Sequence, residues 1–180
     1  MYFFRFLVCL VLFALAGCGT DLAPSGADQR PSVQCGTTGP QVCQIAPDFT
    51  LSDSLGNTVT LSSVLSSPTT SGVVMYFTMW CSVCSTDMTL MRDWIIPIYP
   101  HVKFFAVDYV SSTVSQARSA EIDNGFDGSG FTVLADTNRD VYNRYNATMA
   151  ATVVIDRNGV IMMNENYKSA KLQSVLAALP

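Results

Sequence analysis

Residues 72–95 run from GVVMYF through TMW to CSVC, and then into a stretch where Met88, Met91, Trp94 and Ile95 recur at three- and four-residue spacing. A continuous β-prone run bounded by turn residues is the pattern of a strand buried on both faces of a sheet. The later spacing predicts an amphipathic helix that begins at or just after Cys81 and is kinked or ended by Pro97. No other stretch constrains the fold as tightly, because such a strand needs a covering layer on each side and the helix supplies one of them. A cysteine at a helix start meets unpaired amide N–H groups and the positive end of the helix dipole, both of which favour thiolate over thiol. Cys81 is therefore the expected nucleophile, and Cys84, one turn on and on the same face, the expected resolving thiol. A structural staple has no use for that junction or for Trp80. A zinc or iron-sulfur centre calls for a second CxxC or matching histidines, and the chain has one histidine, His101, which reads as an exposed loop residue. The pattern predicts a redox couple with no metal and no cofactor.

The remaining segments alternate in type. APDFTLSDSLGNTVTLSSV predicts a hairpin of Phe49 to Leu51 with Thr58 to Thr60 across a Gly-Asn turn, then a short helix from about Ser62. VKFFAVDYV reads as a second buried strand, STVSQARSAEID as a polar-faced helix entered through Ser111 or Ser112, and FTVLAD as another strand. A short helix in NRDVYNRYN, a hairpin of ATVVID and VIMMN around RNG, and a helix in SAKLQSVLAAL complete the chain. Strands alternating with helices and ending in a hairpin plus helix predict an α/β sandwich around a central mixed sheet.

With 180 residues, 49% hydrophobic and 13% charged, the chain can bury one sizeable core. Its net charge of -4 and ten scattered basic residues leave no footprint for nucleic acid or anionic lipid. The start, MYFFRFLVCLVLFALAGCGT, has the layout of a secretory signal and is too short to read as a spanning helix. Leu15-Ala16-Gly17-Cys18 resembles a bacterial lipobox, which implies a signal peptide over 1–17 and lipidation of Cys18, the alternative being an ordinary signal peptide cut after Ala16 or Gly17 with Cys18 a free thiol. Gly19 in the next position suggests outer-membrane sorting. Residues 18–34 read as a flexible tether and 35–180 as the folded domain. Once Cys9 and Cys18 are set aside, four of the six cysteines remain. Cys35 and Cys43 flank a Gly/Pro turn segment and are read as a structural disulfide of an exported protein, with a second redox relay as the alternative.

The blocks APDFTLSDSLGNTVTLSSV, VVMYFTMWCSVC and VVIDRNGVI resemble, in order and spacing, thioredoxin-like proteins. The similarity is greatest to membrane-tethered bacterial thiol-disulfide oxidoreductases and the related redoxins of the AhpC/TSA type. The resemblance implies a thioredoxin-like sandwich with an N-terminal β-hairpin extension. It also implies a lipid-anchored extracytoplasmic enzyme that faces the periplasm or exterior and reduces protein disulfides, such as those of cytochrome c maturation or envelope repair. Its partners would be protein thiol or disulfide substrates and an upstream redox donor, with the membrane reached through the lipid alone. Trp80, Thr78, Ala150 and Ala151 would wall the site. A peroxiredoxin resembles this chain in the threonine three residues before the cysteine, so a thiol-dependent peroxidase using Cys81 is the enzyme alternative. A tethered binding or metal-handling module is the non-enzyme alternative, although copper-delivery relatives space their cysteines one residue wider and add a histidine.

Three positions depart from the family pattern. Ala150 or Ala151 stands where relatives carry a cis-proline, and a cis bond without proline costs about 3 kcal/mol, so the loop is expected to be trans and reshaped or strained. Met75 falls where thioredoxin keeps a buried carboxylate, which leaves water, Asp108 or another group to move protons. Asp87, one turn beyond Cys84, reads as a solvated helix position, the alternative being a carboxylate that faces the thiols and raises their pKa values. Ser82 and Val83 lack the proline that many relatives place between the cysteines.

Overall fold

The computed structural model describes residues 32–180. The signal segment, Cys18 and most of the tether lie outside the described residues. The elements follow in the order β1 (Thr50–Asp53), β2 (Thr58–Thr60), α1 (Leu61–Leu65), β3 (Gly72–Thr78), α2 (Ser82–Trp94), a 3-10 turn (Ile96–Ile98), β4 (Val102–Asp108), α3 (Val114–Asp123), β5 (Phe131–Ala135), α4 (Asp140–Arg144), β6 (Ala151–Asp156), β7 (Ile161–Asn166) and α5 (Ser169–Ala177). The strands build one mixed sheet in the order β2-β1-β5-β4-β3-β6-β7. Strands β3, β4 and β5 are parallel, as crossovers through α2 and α3 require. β6 returns antiparallel to β3, and β7 antiparallel to β6. The expected α/β sandwich with its hairpin extension is the observed architecture.

All seven residues of β3 are buried, and its side chains alternate between two cores. Val73, Met75 and Phe77 join Leu61 of α1 and Val141 and Tyr145 at α4 on one face. Val74 and Tyr76 join Cys84, Met88 and Met91 of α2 and Leu172 and Leu176 of α5 on the other. Each fully buried side chain of this size contributes about 1.5–3 kcal/mol, so the two cores clamp β3 and hold its C-terminal end, where the cysteines follow. Gly72 opens β3 because a Cβ there would meet the Ile155 carbonyl oxygen at 2.7 Å.

One local expectation changes. Helix α3 is capped by Thr113, whose hydroxyl accepts the Gln116 N–H at 3.1 Å, and not by Ser111 or Ser112. Ser111 is already committed, donating both its N–H and its hydroxyl to the Asp108 carboxylate. In the same helix Glu121 is buried and accepts from Ser54 and Arg118.

A disulfide joins Cys35 to Cys43, with Cα atoms 4.8 Å apart. Its loop is pinned to β7, because Cys43 N–H donates to the Ile161 carbonyl and Ile161 N–H donates to Gln44, each at 2.9 Å. His101 is exposed in the turn before β4. Among the described residues no helix is long and apolar enough to cross a membrane.

Candidate active site

The turn from β3 into α2 is built by three side chains. Thr78, fully buried, accepts the Trp80 N–H at 3.0 Å. Trp80 takes the left-handed conformation at φ 59, which costs a non-glycine residue about 1–2 kcal/mol and so needs support. That support comes from Asp108 at the end of β4, whose carboxylate accepts the indole N–H at 2.9 Å and also the Val110 and Ser111 donors. Asp108 is thereby filled by four donors and serves as a clamp on the turn. The Trp80 ring lies 6.3 Å from that of Phe126 and packs against the core that holds Cys84.

Cys81 is the N-cap of α2, and its sulfur accepts the Cys84 N–H at 3.2 Å. Both thiols are free. Cys81 is half-buried, whereas Cys84 is 0% exposed. Burial pushes the Cys81 thiol up, and its proton-sharing contact with Cys84 adds to the rise. Burial also opposes the Cys84 thiolate, but the hydrogen bond from Cys81 and others, including one from Thr78, outweigh it and bring that thiol down. The sulfurs titrate as a pair, losing the first proton more readily than the second. Position at the helix start therefore does not by itself single out Cys81. Access does, since only Cys81 can be reached from solvent.

Across from the pair, Met149 approaches so closely that the Cys81 thiol points at its thioether sulfur, 3.6 Å away. Ala150 follows at φ 62, donates its N–H to the Phe77 carbonyl at 3.0 Å and packs in the core that holds Cys84. There is no cis peptide bond among the described residues, so the loop is trans and carries its strain at Ala150. Ala151, the first residue of β6, turns into the opposite core and is not part of the site wall, because successive strand residues face opposite ways. Thr78 likewise does not line an open wall. It is buried beside Cys84.

Met75 points into the core away from the thiols, and its neighbour Tyr76 is the strand residue on their side. The buried Tyr76 hydroxyl donates to Asp87 at 3.0 Å. Burial, with Asp87 and Cys84 close by, pushes the phenol far up, so it stays a protonated donor. Asp87 is half-buried and engaged, not a solvated helix position.

The family model for the AhpC/TSA family matches residues 42–163, which include this whole arrangement. The chain belongs to the AhpC/TSA family. Solved structures of similar fold include a candidate protein disulfide isomerase from Bacteroides thetaiotaomicron, 23% identical with a TM-score of 0.63, covering 76% of this chain and 86% of that one. A secreted disulfide oxidoreductase of Mycobacterium tuberculosis is 22% identical with a TM-score of 0.56, covering 73% and 96%. The peroxidoxin BcpB of the same organism is 20% identical with a TM-score of 0.57, covering 74% and 92%. A comparison with curated proteins finds no match.

Within this AhpC/TSA protein, the sequence reading missed Tyr76 and Met149 and discounted Asp87. One signal for the first was available, since a tyrosine in a strand buried on both faces must find a partner for its hydroxyl. Burial raises the Asp87 carboxyl above its ordinary 3.8, with the Tyr76 hydroxyl pulling part of the way back. A group whose folded pKa exceeds its unfolded value stabilises the fold fully below the unfolded value and loses that contribution as pH rises through the folded one. Asp87→Asn is therefore expected to melt like the parent at the acid end and to gain on it toward neutral pH. Melting curves across that range check this, and a difference independent of pH counts against it.

Proposed function

We propose that this chain is a lipid-anchored extracytoplasmic thiol-disulfide oxidoreductase that reduces protein disulfides, with Cys81 attacking and Cys84 resolving. The observation that carries the reading is one reachable and one buried free thiol, a helical turn apart, at a strand-to-helix junction. The Cys81 thiolate attacks one sulfur of the substrate disulfide, forming a mixed disulfide and releasing the other sulfur as a thiolate that takes up a proton. Cys84 then gives up its proton and attacks the Cys81 sulfur. The Cys81–Cys84 disulfide forms and the second substrate thiol leaves. Two electrons have passed to the substrate, and a dithiol donor returns the pair to its starting state. Thr78 and Tyr76, whose hydroxyl is held by Asp87, are the polar groups beside Cys84 during the second step. Lipid on Cys18 would hold the domain at the membrane through residues 18–34.

Peroxidase chemistry at Cys81 is the second reading, favoured by the family and by the threonine three residues upstream. Against it, the Thr78 hydroxyl is buried and occupied by the Trp80 N–H and Cys84. The test is to equilibrate purified protein with defined thiol-disulfide buffers, alkylate the free thiols and read mass, then compare insulin reduction with peroxide consumption. Reversible two-electron oxidation confined to Cys81 and Cys84, with insulin reduction, is expected. A pair that cannot be cycled removes the proposal, and rapid peroxide loss without insulin reduction replaces it with the peroxidase.

A further inference from the structure

Two sulfur atoms meet at the mouth of the site, drawn from two parts of the chain 68 residues apart, and a third, that of Cys84, belongs to the residue one helical turn further in. The Cys81 sulfur touches the Met149 thioether sulfur at 3.6 Å and accepts the Cys84 backbone N–H at 3.2 Å, with the Cys84 thiol one helical turn away. Among the described residues no three His, Cys, Asp or Glu side chains come together, so a hard or borderline ion has no ready cage. Two thiolates and a thioether are a different donor set, soft and polarisable, of the kind that selects Cu(I) over zinc or the hard cations. We infer that reduced Cys81 and Cys84, together with Met149, form a binding site for one Cu(I) ion.

The Cys81–Met149 separation suits three-coordination. With metal–sulfur bonds of about 2.3 Å, three sulfurs around a trigonal ion lie about 4 Å apart, and the Cys81–Met149 separation is within a few tenths of an ångström of that. Met149 is 41% exposed, so its unbranched side chain can open to admit the ion and close over it. Cys84 is enclosed, which places the ion's entry on the Met149 side. Ala150 supports the arrangement from behind, because its N–H bond to Phe77 fixes the backbone that carries Met149. Binding displaces the thiol protons and leaves copper in the +1 state, so no other oxidant or reductant enters the step. Oxidation of the pair to a disulfide removes two of the three donors, so copper and the disulfide exclude each other. This site does not depend on disulfide turnover, and a protein that fails every exchange assay can still hold the ion.

The test is an anaerobic titration of the reduced, purified protein with Cu(I) against a coloured chelator, with X-ray absorption on the loaded sample. One ion per chain bound by three sulfurs is expected, with no binding by the oxidised protein. Met149→Leu, close in size and apolar, should keep the fold and lower the affinity about tenfold or more. A Cys81→Ser/Cys84→Ser double variant should lose the ion. Unchanged affinity in Met149→Leu, a two-sulfur signal, or copper retained by the double variant would each overturn the assignment.

Discussion

Replacing Cys81 with serine is expected to lower disulfide exchange on the order of 10³-fold or more, because a serine hydroxyl stays protonated at neutral pH where a thiol supplies nucleophile. Cys84→Ser should behave differently. The attack of Cys81 on substrate survives, but nothing within reach can displace the product, so the mixed disulfide accumulates. The asymmetry rests on access, since Cys81 is open to solvent and Cys84 is 0% exposed. Non-reducing electrophoresis after incubation with a disulfide-bearing protein shows the trapped adduct, and mass spectrometry of its peptides locates the bond. An adduct on Cys84 in the Cys81→Ser protein, formed as fast as that on Cys81 in the Cys84→Ser protein, would reverse the roles assigned here.

Ala150→Pro is expected to destabilise the fold by about 3 kcal/mol or more, a drop in melting temperature of about 6–12 °C for a domain of this size. Proline needs φ near −65°, whereas Ala150 sits at φ 62 and donates its N–H to Phe77. The substitution therefore forces the backbone over and deletes a hydrogen bond in the wall beside Cys84. Ala150→Gly separates these effects. Glycine relieves the left-handed strain of about 1–2 kcal/mol but adds unfolded-chain entropy of about 0.4–1 kcal/mol, so a neutral to slightly stabilised protein is expected. Thermal melts of both variants, with exchange rates measured beside them, check the pair. A proline variant that melts with the parent and exchanges faster would show that the loop can switch to the proline-bearing arrangement of its relatives.

Much of the fold was legible because its determinants are local. The run from Gly72 to Phe77 announces a strand buried on both faces through its lack of alternation, and Met88 and Met91 announce the covered face of α2 through their spacing. The cap of α3 was misplaced because Ser111 has the right chemistry for a cap but is held by Asp108, a preference only the folded chain reveals. Ala150 and Ala151 were taken together as site wall, and the start of β6 divides them between opposite cores.

By itself, the sequence determined the strand-turn-helix unit and the place of the two cysteines within it, since helix starts, strand runs and turn residues act over a few neighbours. Tertiary structure decided which sulfur is reachable, that Tyr76 meets Asp87, that Asp108 is a clamp on Trp80, and that Met149 lies against Cys81. These are contacts between side chains 11, 28 and 68 residues apart, and the alternate burial of a hydroxyl or a thiol. They depend on which face of each element packs where, a choice made by the whole core at once and carried by no local run of residues.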